Sequence, residues 1–346
     1  MSNSLPRAIP ARQVIEEPHV ISKLEKTQAR SRVYRLFSHL YRHGLTDNVL
    51  PVVRAIPDLA SLVPESFDED EAAADHYALF SLEVFPYASV FLGAEGRLGG
   101  STTHVVQQHY AQTGFQAIFD RESADHLAHE LALLAFLSGA ETEALEAGKR
   151  SEAERMRRRM QAFMDGHLLW WLPAFVQAVQ QQAYPFYAAL GGFTLEVVLD
   201  HRAALGEGGC FSESLVLEEP PDLLEKEKTG LKDIAAYLTT PTWSGFFLSR
   251  SDITRLGRGE RLPHGFGSRV QTLTNLLRAA VEFDRMDALL GALSEQLDTW
   301  ASFYQKLSAS GLERVEIVSQ TWLDRLTTTR SIIEQMRQAT HDVHVE

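Results

Sequence analysis

The chain has 346 residues, of which 45% are hydrophobic, enough to fill the core of one large domain or two smaller ones. Its 46 acidic against 33 basic residues give a formal net charge of −13, which argues against general nucleic-acid or anionic-membrane binding, because both partners are repelled. Cys210 is the single cysteine, so a disulfide framework, a CxxC motif and a cysteine-ligated cluster are excluded, and a reducing compartment fits.

Residues 1–18 read as a flexible tail with Pro6, Pro10 and Pro18 and no apolar run of the secretory kind. From His19 to His43, apolar residues recur at three- and four-residue steps, the helical period, and Gly44 stands where a capping glycine is expected. Residues 45–70 carry Pro51, Pro57 and Pro64, predicting short helical pieces that end in the acidic run Asp68-Glu69-Asp70-Glu71. A helix is predicted over Glu71–Leu82, stopped by Pro86, which lacks an amide proton and disfavours helix in the residue before it. The glycines at 93, 96, 99 and 100 predict an open turn, after which Ser101 or Thr102 caps a helix running to Gly114. Ser123 is the expected cap of the next helix, with Asp125 in its first turn and Leu127, Leu131, Leu134 and Leu137 as a buried stripe.

Glu141–Gln182 is helical in composition, with Pro173 expected to kink or divide it, and Tyr184–Leu205 supplies a further apolar helix. The most apolar stretch, Leu168–Val179, is too short to span a bilayer, so a cytoplasmic protein is expected. Gly206, Gly208, Gly209, Pro220 and Pro221 mark a linker over 206–230. Beyond it come Leu231–Leu238, a turn at Thr240-Pro241, a capped start at Ser251-Asp252, and helices over Ser268–Phe283, Met286–Leu307 and Leu312–Gln338. No β-alternation persists anywhere, and the predicted fold is all-α.

Chemistry-bearing patterns are sparse. His126, His129 and Glu130 have the spacing of metal ligands, and a metal-dependent enzyme built on them is one rival reading. The order HxxHE, however, is not the HExxH that sets two histidines one turn apart, and a polar helix start accounts for it. Ser89 lacks a GxSxG elbow, and Gly96-Arg97-Leu98-Gly99-Gly100 lacks the Lys-Ser/Thr ending of a phosphate loop. The basic run Arg155, Arg157, Arg158 and Arg159 is spread around a helix and reads as a solvated face; Trp170, Trp171 and Phe175 read as core. No cofactor is expected. Composition and pattern alone describe a helical protein without visible catalytic apparatus, and a scaffold for an unrelated partner is a second rival.

An ordered set of short motifs says more. These are Arg32-Val33-Tyr34-Arg35-Leu36-Phe37 with Leu40-Tyr41; Tyr77-Ala78-Leu79-Phe80; Pro86-Tyr87-Ala88-Ser89-Val90; Asp125-His126-Leu127 with Glu130-Leu131; and His167-Leu168 with Trp171-Leu172-Pro173. In this order, over about residues 30–205, the chain resembles the TorD/DmsD/NarJ family of cytoplasmic redox-enzyme maturation chaperones. The resemblance implies a TorD-like helical bundle over 19–205, with 231–346 as a helical extension, and a protein that is not an enzyme. It implies as partner the apo catalytic subunit of a molybdopterin-containing oxidoreductase of the dimethyl sulfoxide reductase type, bound through its twin-arginine signal peptide. A monomer, or a homodimer formed by exchange across the linker, is expected, with no nucleic acid and no membrane insertion.

A twin-arginine peptide is basic and then apolar, so its receptor needs carboxylates beside an apolar groove. On the resembling positions, Asp125 pairs with arginine, His126 orients it or reports pH, and Leu79, Phe80, Pro86 and Tyr87 line the groove. Ser89 fixes the loop, and Leu127 and Glu130 complete the set. The competing reading gives Asp125 to helix-start electrostatics and Leu127 to the core.

Overall fold

The computed structural model describes residues 22–345, except 95–97, 117–121, 207–214, 216, 224–228 and 264. The predicted tail, Cys210 and much of the predicted linker lie outside the described residues. The all-α expectation holds: among the described residues no strand occurs, only an isolated bridge between Tyr87 and His126.

Helix α1 (Lys23–His43) starts at a reciprocal cap, in which Ser22 accepts from the Glu25 amide and the Glu25 carboxylate accepts from the Ser22 amide. It ends at Gly44, whose φ of 75° suits glycine. Two short helices, α2 (Leu50–Arg54) and α3 (Pro57–Ala60), each carry a proline in the first turn, where its missing amide costs nothing. Helix α4 (Glu69–Tyr77) is capped by Asp68 and passes into a wider π-helical turn, Ala78–Glu83, closed by the Val84 amide on the Leu79 carbonyl. Then come α5 (Ala88–Leu92), α6 (Ser101–Thr113), α7 (Leu127–Glu146), α8 (Arg150–Phe163), a second π turn at Met164–Leu168, α9 (Leu169–Gln180) and α10 (Pro185–Leu205). Beyond the linker lie α11 (Leu231–Leu238), α12 (Pro241–Ser244), α13 (Arg250–Gly259), α14 (Arg269–Glu282), α15 (Met286–Ser308) and α16 (Glu313–Val345).

Three helix starts differ from expectation. Helix α6 begins at Ser101 behind Gly100, with no side-chain cap. Helix α7 is capped by His126, whose Nδ1 accepts from the Ala128 amide; Ser123 gives its hydroxyl to Asp125 instead, and Asp125 precedes the helix. Helix α13 is capped by Ser249, with Asp252 in the third helical position. Pro173 lies inside α9, and the irregularity falls upstream, at the second π turn. There the Asp165 carbonyl accepts from Trp170 Nε1 at 3.1 Å and from Arg314 Nε at 2.7 Å.

Helix α1 packs along α7, α7 along α8, and α9 along α10, while α15 and α16 form an antiparallel pair. The apolar interior is continuous across both parts. Trp322 on α16 donates to the Trp170 carbonyl at 3.0 Å, Phe247 stacks on Phe91 at 5.2 Å, and the Ser251 amide and hydroxyl bind the Glu83 carboxylate at 2.9 and 2.8 Å. The extension thus rests on the face that carries α5 and the first π turn.

Candidate functional site

Asp125 is fully buried and its carboxylate is saturated from within. Oδ2 accepts from the Ser89 amide at 2.9 Å, and Oδ1 accepts from the Thr103 hydroxyl at 2.9 Å and from the Ser123 hydroxyl. Main-chain bonds join the same segments: the Ala88 amide donates to the Asp125 carbonyl, and the Leu127 amide donates to the Pro86 carbonyl. Burial alone raises the carboxyl pKa; the bonds from Ser123, Ser89 and Thr103 outweigh it and leave the group below the ordinary carboxylate range. Asp125 is therefore an anion bolting the Pro86–Val90 loop to the start of α7.

Glu130, one turn into α7, is a second buried node. His167 Nε2 donates to Oε1 at 2.7 Å and Trp171 Nε1 donates to Oε2 at 3.1 Å, and all three side chains are sealed from solvent. Burial is the largest influence and raises the Glu130 pKa, with His167 opposing it. The last two motifs of the ordered set, Asp-His-Leu-x-x-Glu and His-Leu-x-x-Trp, thus meet through this carboxylate.

The remaining expected residues cluster around these nodes. Tyr87 donates its hydroxyl to Glu122 and meets the His126 ring edge-on at 4.8 Å. Burial first, then His129 and His76, holds His126 neutral, with its pKa pulled down to about 3. Phe80 is enclosed by Tyr41, His76, Phe175 and Tyr187; Leu79, Pro86, Ser89 and Leu127 are buried as well. All nine expected positions lie in the interior. Glu130 turns to His167 and Trp171 rather than to His126 and His129, and among the described residues no group of His, Cys, Asp or Glu is placed to hold a metal.

A surface groove adjoins this buried set. It is formed by α4, the segment before it and the start of α10, and holds about 220 Å³. Leu45, Leu62, Phe67, Ala72, Phe186 and Tyr187 supply apolar walls, and Asp68, Glu71 and Asp75 supply carboxylates. Residues 68, 71, 72 and 75 share one face of α4. Tyr187 meets Phe80 edge-on at 5.1 Å, so Phe80 braces the groove wall from behind. Asp68 accepts from the Asp70 and Glu71 amides, but among the described residues neither Glu71 nor Asp75 has an ion pair. No lysine or arginine occurs between Arg54 and Arg97, a signal present in the sequence that motif reading alone passes over.

Residues 48–177 match the family model described as nitrate reductase delta subunit. The chain is 43% identical over 91 residues to a selenate reductase assembly chaperone of Thauera selenatis, covering 25% of this chain and 44% of that protein, which is less than half of the relative's length. It is 28% identical over 172 residues to the chaperone protein TorD of Vibrio parahaemolyticus, covering 47% of this chain and 79% of that protein. To TorD of Vibrio vulnificus it is 32% identical over 153 residues, covering 42% of this chain and 70% of that protein. With the ordered motifs joined at two buried carboxylates in an all-α fold, these similarities establish that the chain belongs to the TorD family of chaperones.

Proposed function

We propose that this protein is a maturation chaperone for the catalytic subunit of a molybdopterin-containing oxidoreductase of the dimethyl sulfoxide reductase type. It acts in the cytoplasm, holding the apo subunit for cofactor insertion before export. Membership of a family whose relatives are named TorD and reductase assembly chaperones carries this reading. Among the described residues no helix is long and apolar enough to cross a membrane.

The client segment we assign is the twin-arginine signal peptide, and the receptor surface is the α4–α10 groove. Its carboxylates at Asp68, Glu71 and Asp75 meet the basic part of the peptide, and its apolar walls take the hydrophobic part. Leu79, Phe80, Pro86, Tyr87, Ser89, Asp125, His126, Leu127 and Glu130 then serve as the rigid backing of that surface. They act on the client through the shape they impose, since each is buried.

Co-purification from the native cell under anaerobic growth tests the reading. The tagged protein is expected to bring down a molybdoenzyme precursor, and the Glu71→Lys/Asp75→Lys variant to lose most of it while remaining folded. If no such precursor is recovered when one is expressed, the chaperone reading gives way to a scaffold for another partner.

A further inference from the structure

The end of α6 and one face of α8 line a second small cavity, open to solvent and opposite in sign to the acidic groove. It holds about 180 Å³ and is lined by His109, Gln112, Thr113, Arg155, Arg158 and Arg159. Positions 155, 158, 159 and 162 fall on one side of α8, so the three guanidinium groups turn the same way, away from Arg157, which is tied to Glu141 and to the Ala204 carbonyl. In a chain with 46 acidic residues against 33 basic ones, arginines readily find carboxylates. Among the described residues, Arg158 has only a 3.8 Å contact with the half-exposed Glu154, and Arg155 and Arg159 have neither an ion pair nor a hydrogen bond. Burial against Phe163 and the nearby His167 keep His109 neutral, so it is available as a hydrogen-bonding partner rather than a fourth cation.

Three forked cations converging on a compact hollow match a compact polyanion better than an extended acidic chain, whose single charges would be spread along a strip. Arg155 also borders an adjoining cavity of about 360 Å³ between the end of α7 and the start of α8. Ala140, Ala144, Ala147 and Met156 give that second space apolar walls, and its acids Glu143 and Glu152 are balanced by Lys149 and Arg155, so the uncompensated positive charge lies at the arginines of the α6–α8 cavity.

We propose that the α6–α8 cavity binds the phosphate group of a phosphate-bearing small molecule, with Arg155, Arg158 and Arg159 as its ligands and the neighbouring cavity taking the rest of the molecule. This site is independent of the client-binding groove and stands or falls separately from it.

Isothermal titration calorimetry of the full chain with sodium pyrophosphate tests it, with a poly-glutamate peptide as the competing probe. Wild type is expected to bind one pyrophosphate saturably and more weakly as salt rises. Arg155→Ala/Arg159→Ala is expected to bind at least about tenfold more weakly, as is the milder Arg158→Gln, whose circular dichroism should match wild type. Arg285→Ala, an exposed arginine on the extension, is expected to bind like wild type. Absence of saturable pyrophosphate binding, or equal weakening in Arg285→Ala, overturns the proposal. Capture of the acidic peptide without pyrophosphate also overturns it and makes the face a protein-docking surface.

Discussion

Asp125 and Glu130 are both buried acids near the start of α7, yet their surroundings push them in opposite directions. Asp125 is held as an anion by three donors, whereas burial dominates at Glu130. Asp125→Ala leaves the Ser89 amide and two hydroxyls without their acceptor and is expected to cost about 3 kcal/mol in urea unfolding; Asp125→Asn should recover part of it. Histidines govern the response to mild acid. Burial, with cationic neighbours adding to it, pulls the pKa of His126 and His201 each down to about 3, against about 6.5 when unfolded. Between those values the unfolded chain binds protons that the native chain refuses, so each histidine removes stability as pH falls below about 6.5, by about 1.4 kcal/mol per pH unit. Asp125, with its lowered pKa, keeps its contribution until pH falls below the ordinary carboxylate range near about 3.9, and Glu130, raised, runs the other way. The histidine effect is therefore read as a difference. Between pH 7 and pH 5 the unfolding midpoint of His201→Gln should fall less than that of wild type, and parallel losses in the two proteins would refute it.

At the scale of elements, the sequence was legible where periodicity is long and unclear where side chains have a choice of partner. The stripe Leu127, Leu131, Leu134 and Leu137 is buried as its spacing requires, and α1, α10, α14 and α15 begin and end within a few residues of expectation. The start of α7 differs from expectation because the Ser123 hydroxyl has a choice, to accept from a helix amide or to donate to the Asp125 carboxylate, and the charge wins. The motif residues meet in one buried cluster, but spacing carries no sign of whether a side chain faces in or out. The acidic groove escaped notice because its walls come from Leu45, from 62–75 and from the start of α10, and only folding brings these together. One junction offers a sharp test. Gly245 has a φ of 82°, and a Cβ there would come within 2.7 Å of the Leu326 amide nitrogen on α16. Gly245→Ala should cost about 3 kcal/mol by thermal or urea unfolding and loosen α12 from α16; a loss under about 1 kcal/mol would show that this contact is dispensable.

For the whole molecule, the extension and the bundle share one apolar interior. Trp322, Phe247, Arg314 and Ser251 all reach across, and each contacts a segment holding a family motif or flanking one. Removing residues 231–346 would uncover Trp170, Phe91 and their neighbours, so a chain ending at residue 230 should aggregate or bind a hydrophobic dye strongly instead of eluting as a folded monomer. A well-behaved monomer from that truncation would show that the bundle is self-sufficient.

The central proposal, that the α4–α10 groove receives the client's signal peptide, is tested most directly by a peptide titration. A labelled twin-arginine leader from a molybdoenzyme is titrated with the full chain by fluorescence anisotropy, alongside Glu71→Lys/Asp75→Lys. Wild type is expected to bind saturably and more weakly in high salt, with at least about a tenfold loss in the variant, in line with reversing two charges beside the peptide's arginines. Equal binding by the two proteins, or no binding by wild type, would contradict it.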